Sequence, residues 1–284
     1  MDITRLGVVG GGLMGSGITE VGARAGLDVV TVEVDDDAAK RAHDRVEKSL
    51  RKAEARGKIT ADEVDETLER ISVTSDLERL SDRDLVVEAA SEDETTKLGL
   101  FRRLGSLLPD EAILASNTSS IPIVKLGAVS GRADRVMGVH FFNPAPVMRL
   151  VELIPSLTTS PETMDRMKSF VADGLSKQPI EATDRAGFVV NSLLVPYILS
   201  AIRMYEAGYA SASDIDQGMV LGCGHPMGPL ALADLIGLDT VRAIGVSMYE
   251  EFKEPLYSPP PLLDRMVDAG LLGTKSGHGF YPHG

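Results

Sequence analysis

Apolar positions along this chain follow two different periods, and the change from one to the other divides it. Short β-branched runs stand at Leu6–Val9, Val29–Val32, Ile71–Thr74, Leu85–Ala89, Ile113–Ala115 and Val136–His140. Longer segments with helical spacing separate most of them, and that alternation predicts βαβ units and a parallel sheet. Right-handed crossovers in such a sheet put the ligand at the carboxyl ends of the strands. Met148–Glu152 reads as a further strand. The stretch from Asp36 to Arg70 is longer than one crossover helix needs and is densely charged. Gly57 breaks it, and Thr60-Ala61-Asp62-Glu63 matches a capping box, so a helical hairpin projecting from the sheet is predicted. After Asp184 strand signals largely vanish. Helical spacing runs through Gly187–Ala207, Ser213–Leu221, Pro229–Ile236, Thr240–Phe252 and Pro261–Ala269. The expected organisation is an α/β domain over 1–184 and an all-α domain over 185–284, joined at Asp184-Arg185-Ala186-Gly187.

Composition narrows the partners. The 284 residues are 43% apolar, with no run long enough to span a bilayer, and 284 residues suffice to bury a sizeable core. The net charge of -13 argues against nucleic acid or an anionic membrane. An anionic ligand would have to be met by local Lys, Arg or helix N-termini. The single cysteine, Cys223, excludes a disulfide framework and is expected to be a small packed residue. The segment Met1–Gly7 has neither signal-peptide nor transit-peptide character, and a cytoplasmic location is expected. No metal site is expected.

Gly10-Gly11-Gly12-Leu13-Met14-Gly15 follows the first strand and opens a helix. Gly10 permits a tight turn, Gly12 lets a pyrophosphate approach the backbone, and Gly15 lets the helix pack close to the sheet. The helix N-terminus offers free N–H groups and a positive dipole end to phosphates. The second strand ends at an acid, Glu33, about 20 residues further on, the spacing of a ribose-binding carboxylate. Such a carboxylate repels a 2′-phosphate and favours NAD over NADP. Asp35 is the rival for that role, but its position suits a cap for the next helix. Together these features predict a Rossmann-like N-terminal domain.

Hydride removal from an alcohol needs a base, and histidine is the usual one near neutral pH. Of five histidines, His43 lies in the charged hairpin and His278 and His283 in the tail. His140 ends a strand, where an α/β sheet presents chemical groups. If the strand holding Glu152 returns beside it, the carboxylate can orient the imidazole; a structural His with an unrelated Glu is the other reading. Ser116-Asn117-Thr118-Ser119-Ser120 follows another strand, either as a site loop or as an N-cap. Asn191 stands among apolar neighbours, where it needs a core partner or a face on a cleft.

At these residues the sequence resembles the 3-hydroxyacyl-CoA dehydrogenase family, in its short stand-alone form. The matching stretches are Gly10–Gly15, Val86-Val87-Glu88-Ala89, Ala115–Ser120, His140-Phe141-Phe142-Asn143-Pro144, Gly187–Asn191 with Leu194-Val195-Pro196-Tyr197, Pro226-Met227-Gly228-Pro229 and Gly277-His278-Gly279-Phe280-Tyr281. They cover nearly the whole chain in order. The resemblance implies oxidation of a (3S)-3-hydroxyacyl-CoA, such as 3-hydroxybutyryl-CoA, with NAD. It makes His140 the general base, paired to Glu152, with Ser119 and Asn191 on the substrate's hydroxyl and carbonyl oxygens. Glu92 and Lys97 would contact the cofactor's ribose, and Asn143 and Lys275 would lie near its nicotinamide half. Ser49 and Arg56 in the hairpin would meet coenzyme A; Arg56 and Glu33 depart from the family's usual Lys and Asp while keeping the charge. His225 falls where an aromatic often sits and is read as non-catalytic. The resemblance also implies a homodimer through the helical domain. Two rivals stay open: a related dehydrogenase of a free hydroxy acid or sugar acid, and a non-enzymatic NAD-binding protein. Some of the former use a Lys in the helical domain as the main catalytic group; here the helix after Gly187 presents Asn191 and no Lys.

Overall fold

The computed structural model describes residues 3–283. Two compact units divide the chain at 184/185. In the first, chain order runs β1 (Arg5–Val9), α1 (Leu13–Arg24), β2 (Asp28–Val32), α2 (Asp36–Ala55), α3 (Ala61–Glu69), β3 (Ile71–Thr74), β4 (Leu85–Glu88), α4 (Glu94–Leu107), β5 (Ile113–Ser116), α5 (Ile123–Ser130), β6 (Val136–Phe141), β7 (Leu150–Pro155), α6 (Pro161–Ser169) and β8 (Gln178–Glu181). One sheet takes the order β3-β2-β1-β4-β5-β6-β7-β8. Strands β1 to β6 pair in parallel, β7 returns antiparallel to β6, and β8 pairs parallel to β7. The direction of winding reverses between β1 and β4, the switch point where such sheets open a crevice for a ligand.

The central strands are apolar on both faces because helices cover both. Val8, Val29, Leu85, Val87 and Ile113 are all at most 1% exposed and share a core with Ile18 of α1. The predicted hairpin is α2 and α3. Asp35 Oδ1 accepts from the N–H of Ala38 at 2.7 Å to start α2, and a reciprocal Thr60–Glu63 capping box starts α3. Val46, Leu50 and Val64 bury the hairpin's apolar stripe in the same core.

The α/β class and the hairpin are as the periodicity predicts. Two elements are not anticipated by it, α6 and the edge strand β8. Pro179 sits inside β8, which only an edge strand tolerates, and its four residues carry no alternation strong enough to read. β7 begins at Leu150 rather than Met148, because the N–H groups of Val147 and Met148 turn back onto the carbonyl of Pro144.

The second unit is helical: α7 (Val190–Glu206), α8 (Ala212–Cys223), α9 (Pro229–Ile236), α10 (Leu238–Phe252) and α11 (Pro261–Asp268). Ile198, Leu199, Ile202, Leu230, Leu238 and Leu263 are fully buried in its core. α7 starts three residues later than its spacing suggests, since Gly187 and Phe188 both take positive φ and cannot continue a helix. Asp216 carries the start of α9, accepting from the N–H groups of Leu230 and Ala231. The expected packing of Cys223 is corrected: the thiol is exposed. It closes α8 just before the left-handed cap Gly224, on a turn whose Leu221 is also exposed. Among the described residues no helix is long and apolar enough to cross a membrane.

Candidate active site

The antiparallel return of β7 sets His140 directly opposite Glu152. Opposite side chains in such a pair stand about 5 Å apart at Cβ, close enough for their polar ends to meet. His140 Nδ1 lies 2.8 Å from Glu152 Oε2, and Nε2 lies 3.0 Å from Ser119 Oγ. Glu152 is 0% exposed and His140 6%. With Glu152 Oε2 as the acceptor, Nδ1 carries the ring proton and donates the hydrogen bond, which leaves the Nε2 lone pair turned toward Ser119. Phe142 meets the ring edge-on, with centroids 4.8 Å apart.

Ser119 belongs to the loop after β5. Asn117 Oδ1 accepts from the N–H of Phe141 at 2.9 Å and ties this loop to the end of β6. The Glu92 carboxylate gathers the rest, accepting from the hydroxyls of Thr118 and Ser120 and from the N–H of Ser119. Lys97 Nζ approaches the same carboxylate at 3.3 Å. Burial pushes the Glu92 carboxyl up, but the charge of Lys97 and these hydrogen bonds outweigh it, and the net direction is down. The loop is not the N-cap of α5. That start is held instead by Asp184, whose two oxygens accept from the N–H groups of Ile123 and Val124.

Next to this lies the glycine turn. Gly10 takes φ +92°, and a Cβ there would press on the backbone of Ala89 and Ala90 at 2.8 Å. A Cβ on Gly15 would stand 1.7 Å from the Gly10 carbonyl oxygen, whereas one on Gly12 would meet nothing within 4 Å. A cavity of about 530 Å³ opens here, lined by Gly10, Gly12, Glu33, Ala89, Ala90 and Thr96 among others. Glu33 Oε1 accepts from the N–H of Gly11 at 2.7 Å at its edge.

Both halves of the chain match models of one family. Residues 5–185 match the 3-hydroxyacyl-CoA dehydrogenase NAD binding domain, and residues 187–283 the C-terminal domain of that family. The chain belongs to the 3-hydroxyacyl-CoA dehydrogenase family. It is 53% identical, over 99% of each chain, to 3-hydroxybutyryl-CoA dehydrogenase of Mycobacterium tuberculosis. The crystal structure of M. tuberculosis FadB2 superposes with a TM-score of 0.99 at 52% identity, covering 100% of both chains. That of (S)-3-hydroxybutyryl-CoA dehydrogenase PaaH1 from Ralstonia eutropha gives 0.94 at 43% identity, again over 100% of both.

As a member of the 3-hydroxyacyl-CoA dehydrogenase family the protein is an oxidoreductase with an NAD-binding domain. The cavity suits that cofactor. The open space at Gly12 admits a pyrophosphate against the backbone, the N-terminus of α1 faces it, and Glu33 borders it with a carboxylate. Among the described residues no group of three or more His, Cys, Asp or Glu is arranged to hold a metal ion.

Other residues that the resemblance assigns have more specific surroundings. Lys97, expected at the ribose, is 1% exposed, with Nζ 2.6 Å from Glu88 Oε1. Ser49, expected at coenzyme A, is half-buried and hydrogen-bonded to the carboxyl of Glu20. Arg56 caps α2 at the exposed end of the hairpin, and Asn143 is exposed after β6. In the helical unit Asn191 is 9% exposed in the first turn of α7, and Lys275 pairs with Asp239. His225 pairs with Tyr197 through Nδ1 at 3.2 Å.

Glu88 is the residue that the sequence reading missed. It is 0% exposed and accepts from Lys97, the N–H of Ala90 at 2.7 Å and Ser116 Oγ at 2.6 Å, joining β4, α4 and β5. The signal was available: an acid ending the wholly apolar run Leu85-Val86-Val87 is costly to bury unless paired.

Proposed function

We propose that the protein interconverts a (3S)-3-hydroxyacyl-CoA, with 3-hydroxybutyryl-CoA as the preferred substrate, and the 3-oxoacyl-CoA, and that His140 is its general base and acid. The observation that carries this is the bridged imidazole, with Nδ1 on a buried carboxylate and Nε2 turned to a serine hydroxyl. In the oxidative direction Nε2 takes the proton of the 3-hydroxyl. Glu152 holds the ring in the tautomer that leaves Nε2 unprotonated and stabilises the imidazolium that forms. Ser119 donates to the substrate oxygen as it becomes a carbonyl. NAD, when bound, would supply the acceptor for the hydride that leaves C3. In reverse, the protonated Nε2 donates to the forming alkoxide. Asn117 ties the Ser119 loop to the end of β6 and Glu92 gathers the loop, so that Ser119 and His140 face one substrate oxygen together. Asn191 is assigned the thioester carbonyl, Asn143 and Lys275 the nicotinamide half, and Ser49 and Arg56 coenzyme A, on the family resemblance. Exposed apolar side chains of the helical unit, Leu193, Tyr209, Leu221 and Leu235 among them, support a homodimer through that unit.

The test is reduction of acetoacetyl-CoA by NADH beside reduction of free acetoacetate. Turnover of the thioester at least a hundredfold more efficient is expected. Equal or better use of the free acid would move the protein to the hydroxy-acid dehydrogenases. A monomeric mass in solution at micromolar concentration would remove the dimer.

A further inference from the structure

The last turn of α1, the loop before β7 and the segment before β8 enclose a second cavity of about 290 Å³. Its walls carry three cationic residues, Arg24, Arg149 and Lys177, together with Ser176, and no Asp or Glu. In a chain of net charge -13 this convergence runs against the overall balance.

The commitments of the three cations leave charge unspent. Arg24 pairs with Glu20 Oε1 at 3.5 Å and its charge also acts on Glu63, but neither acid lines the cavity. Arg149 is exposed and makes no ion pair among the described residues. Lys177 donates to the carbonyl oxygens of Ala145 and Met148, each at 2.7 Å, and neutral carbonyls do not cancel an ammonium. Burial, and then the charge of Arg24, hold the Lys177 ammonium below its usual pKa. Arg149 and Lys177 therefore face this space with no acid lining it and, among the described residues, no carboxylate paired to either.

We propose that this cavity binds a phosphate oxyanion, held by the Arg149 and Arg24 guanidinium groups, with Lys177 as a fixed point charge and the Ser176 hydroxyl as a further donor. β7 runs antiparallel to β6 and β8 parallel to β7, so Arg149 and Lys177 precede their strands at the end of the sheet where β6 delivers His140. Arg149 lies three residues from Glu152, about 10 Å along an extended chain. The phosphates of a CoA thioester lie far along the arm from the reacting carbon and are one source of this chemistry; free inorganic phosphate is the other. The coenzyme A source rests on the dehydrogenase reading above, whereas the oxyanion site itself does not.

Arg149→Glu is the informative variant, because Arg149 is exposed and unpaired and its replacement leaves the fold intact. Arg102→Glu, an exposed residue on α4, controls for net charge. Inorganic phosphate is titrated calorimetrically into the wild type and both variants, and KM is measured for acetoacetyl-CoA and for acetoacetyl-pantetheine, which has no phosphate. The expected result is saturable phosphate binding in the wild type and Arg102→Glu, weakened about tenfold or more in Arg149→Glu. If coenzyme A is the source, it displaces phosphate, and Arg149→Glu raises KM about tenfold for the CoA thioester alone. If free phosphate is the source, coenzyme A does not displace it and neither KM moves. The proposal is overturned if Arg149→Glu matches the wild type both in phosphate affinity and in KM for acetoacetyl-CoA. Failure of the wild type to turn over either thioester would sink the dehydrogenase reading and leave the phosphate titration standing.

Discussion

His140 and Glu152 are cross-strand partners in register, His140 on β6 and Glu152 on β7, with Nδ1 and Oε2 2.8 Å apart in a buried setting. A pair fixed by backbone register needs no loop to bring it together, so its geometry is as rigid as the sheet. The imidazole's second nitrogen is therefore aimed by main-chain hydrogen bonds.

Replacing His140 with alanine is expected to lower turnover by roughly two to four decades, the worth of a positioned acid–base group, with NAD affinity retained. Steady-state kinetics beside NADH fluorescence titration check this. Near-normal turnover would remove His140 from the role.

Glu152→Gln keeps the size of the side chain and one hydrogen bond to Nδ1 but removes the charge that stabilises the imidazolium. A fall in kcat larger than any rise in KM for the thioester is expected. A rise in KM at unchanged kcat would mean that the carboxylate serves binding alone.

Two glycines of one turn are expected to fail differently. A Cβ at Gly15 would stand 1.7 Å from the carbonyl oxygen of Gly10, so Gly15→Ala forces α1 off the sheet and costs about 3 kcal/mol or more. A Cβ at Gly12 meets nothing within 4 Å, so Gly12→Ala keeps the wild-type melting temperature and instead weakens NAD binding. Thermal melts with and without NAD separate the two, and equal destabilisation by both would contradict this account.

Asp84 predicts an acid dependence. Burial alone would raise its carboxyl, but the Arg5 guanidinium and the N–H groups of Thr4 and Arg5, with the Thr4 hydroxyl, outweigh it and hold it at about 2 against an ordinary 3.8. The folded value lies below the unfolded one, so this stabilisation is complete above 3.8 and fades as pH falls through about 2. Denaturation midpoints of wild type and Asp84→Asn should therefore differ near neutral pH and converge from pH 4 downward. A gap that stays constant over that range would show that Asp84 acts by shape rather than charge.

The strand runs and the glycine turn could be read directly because they depend on local rules. A buried parallel strand must be apolar on both faces, and a pyrophosphate turn must lack side chains. His140 could be singled out because it ends such a strand. The edge strand β8, with Pro179 inside it, could not, since its pairing comes from β7 and not from its own composition. Cys223 was misjudged for a related reason: helical spacing does not say which side of α8 the rest of the unit covers. Glu88 escaped notice because its three partners come from β5, α4 and the turn after β4.

The amino-acid order by itself determined the period of each segment, the turn at Gly10–Gly15, the hairpin caps and the family motifs, because each depends on residues near one another in the chain. Only the tertiary structure decided that β7 returns in the register that puts Glu152 against His140, that Glu92 holds the Ser119 loop, and that Arg24, Arg149 and Lys177 share one cavity. Those are meetings between distant segments. Strand pairing and core packing choose them, because a shift of one residue in register would turn Glu152 to the other face of the sheet.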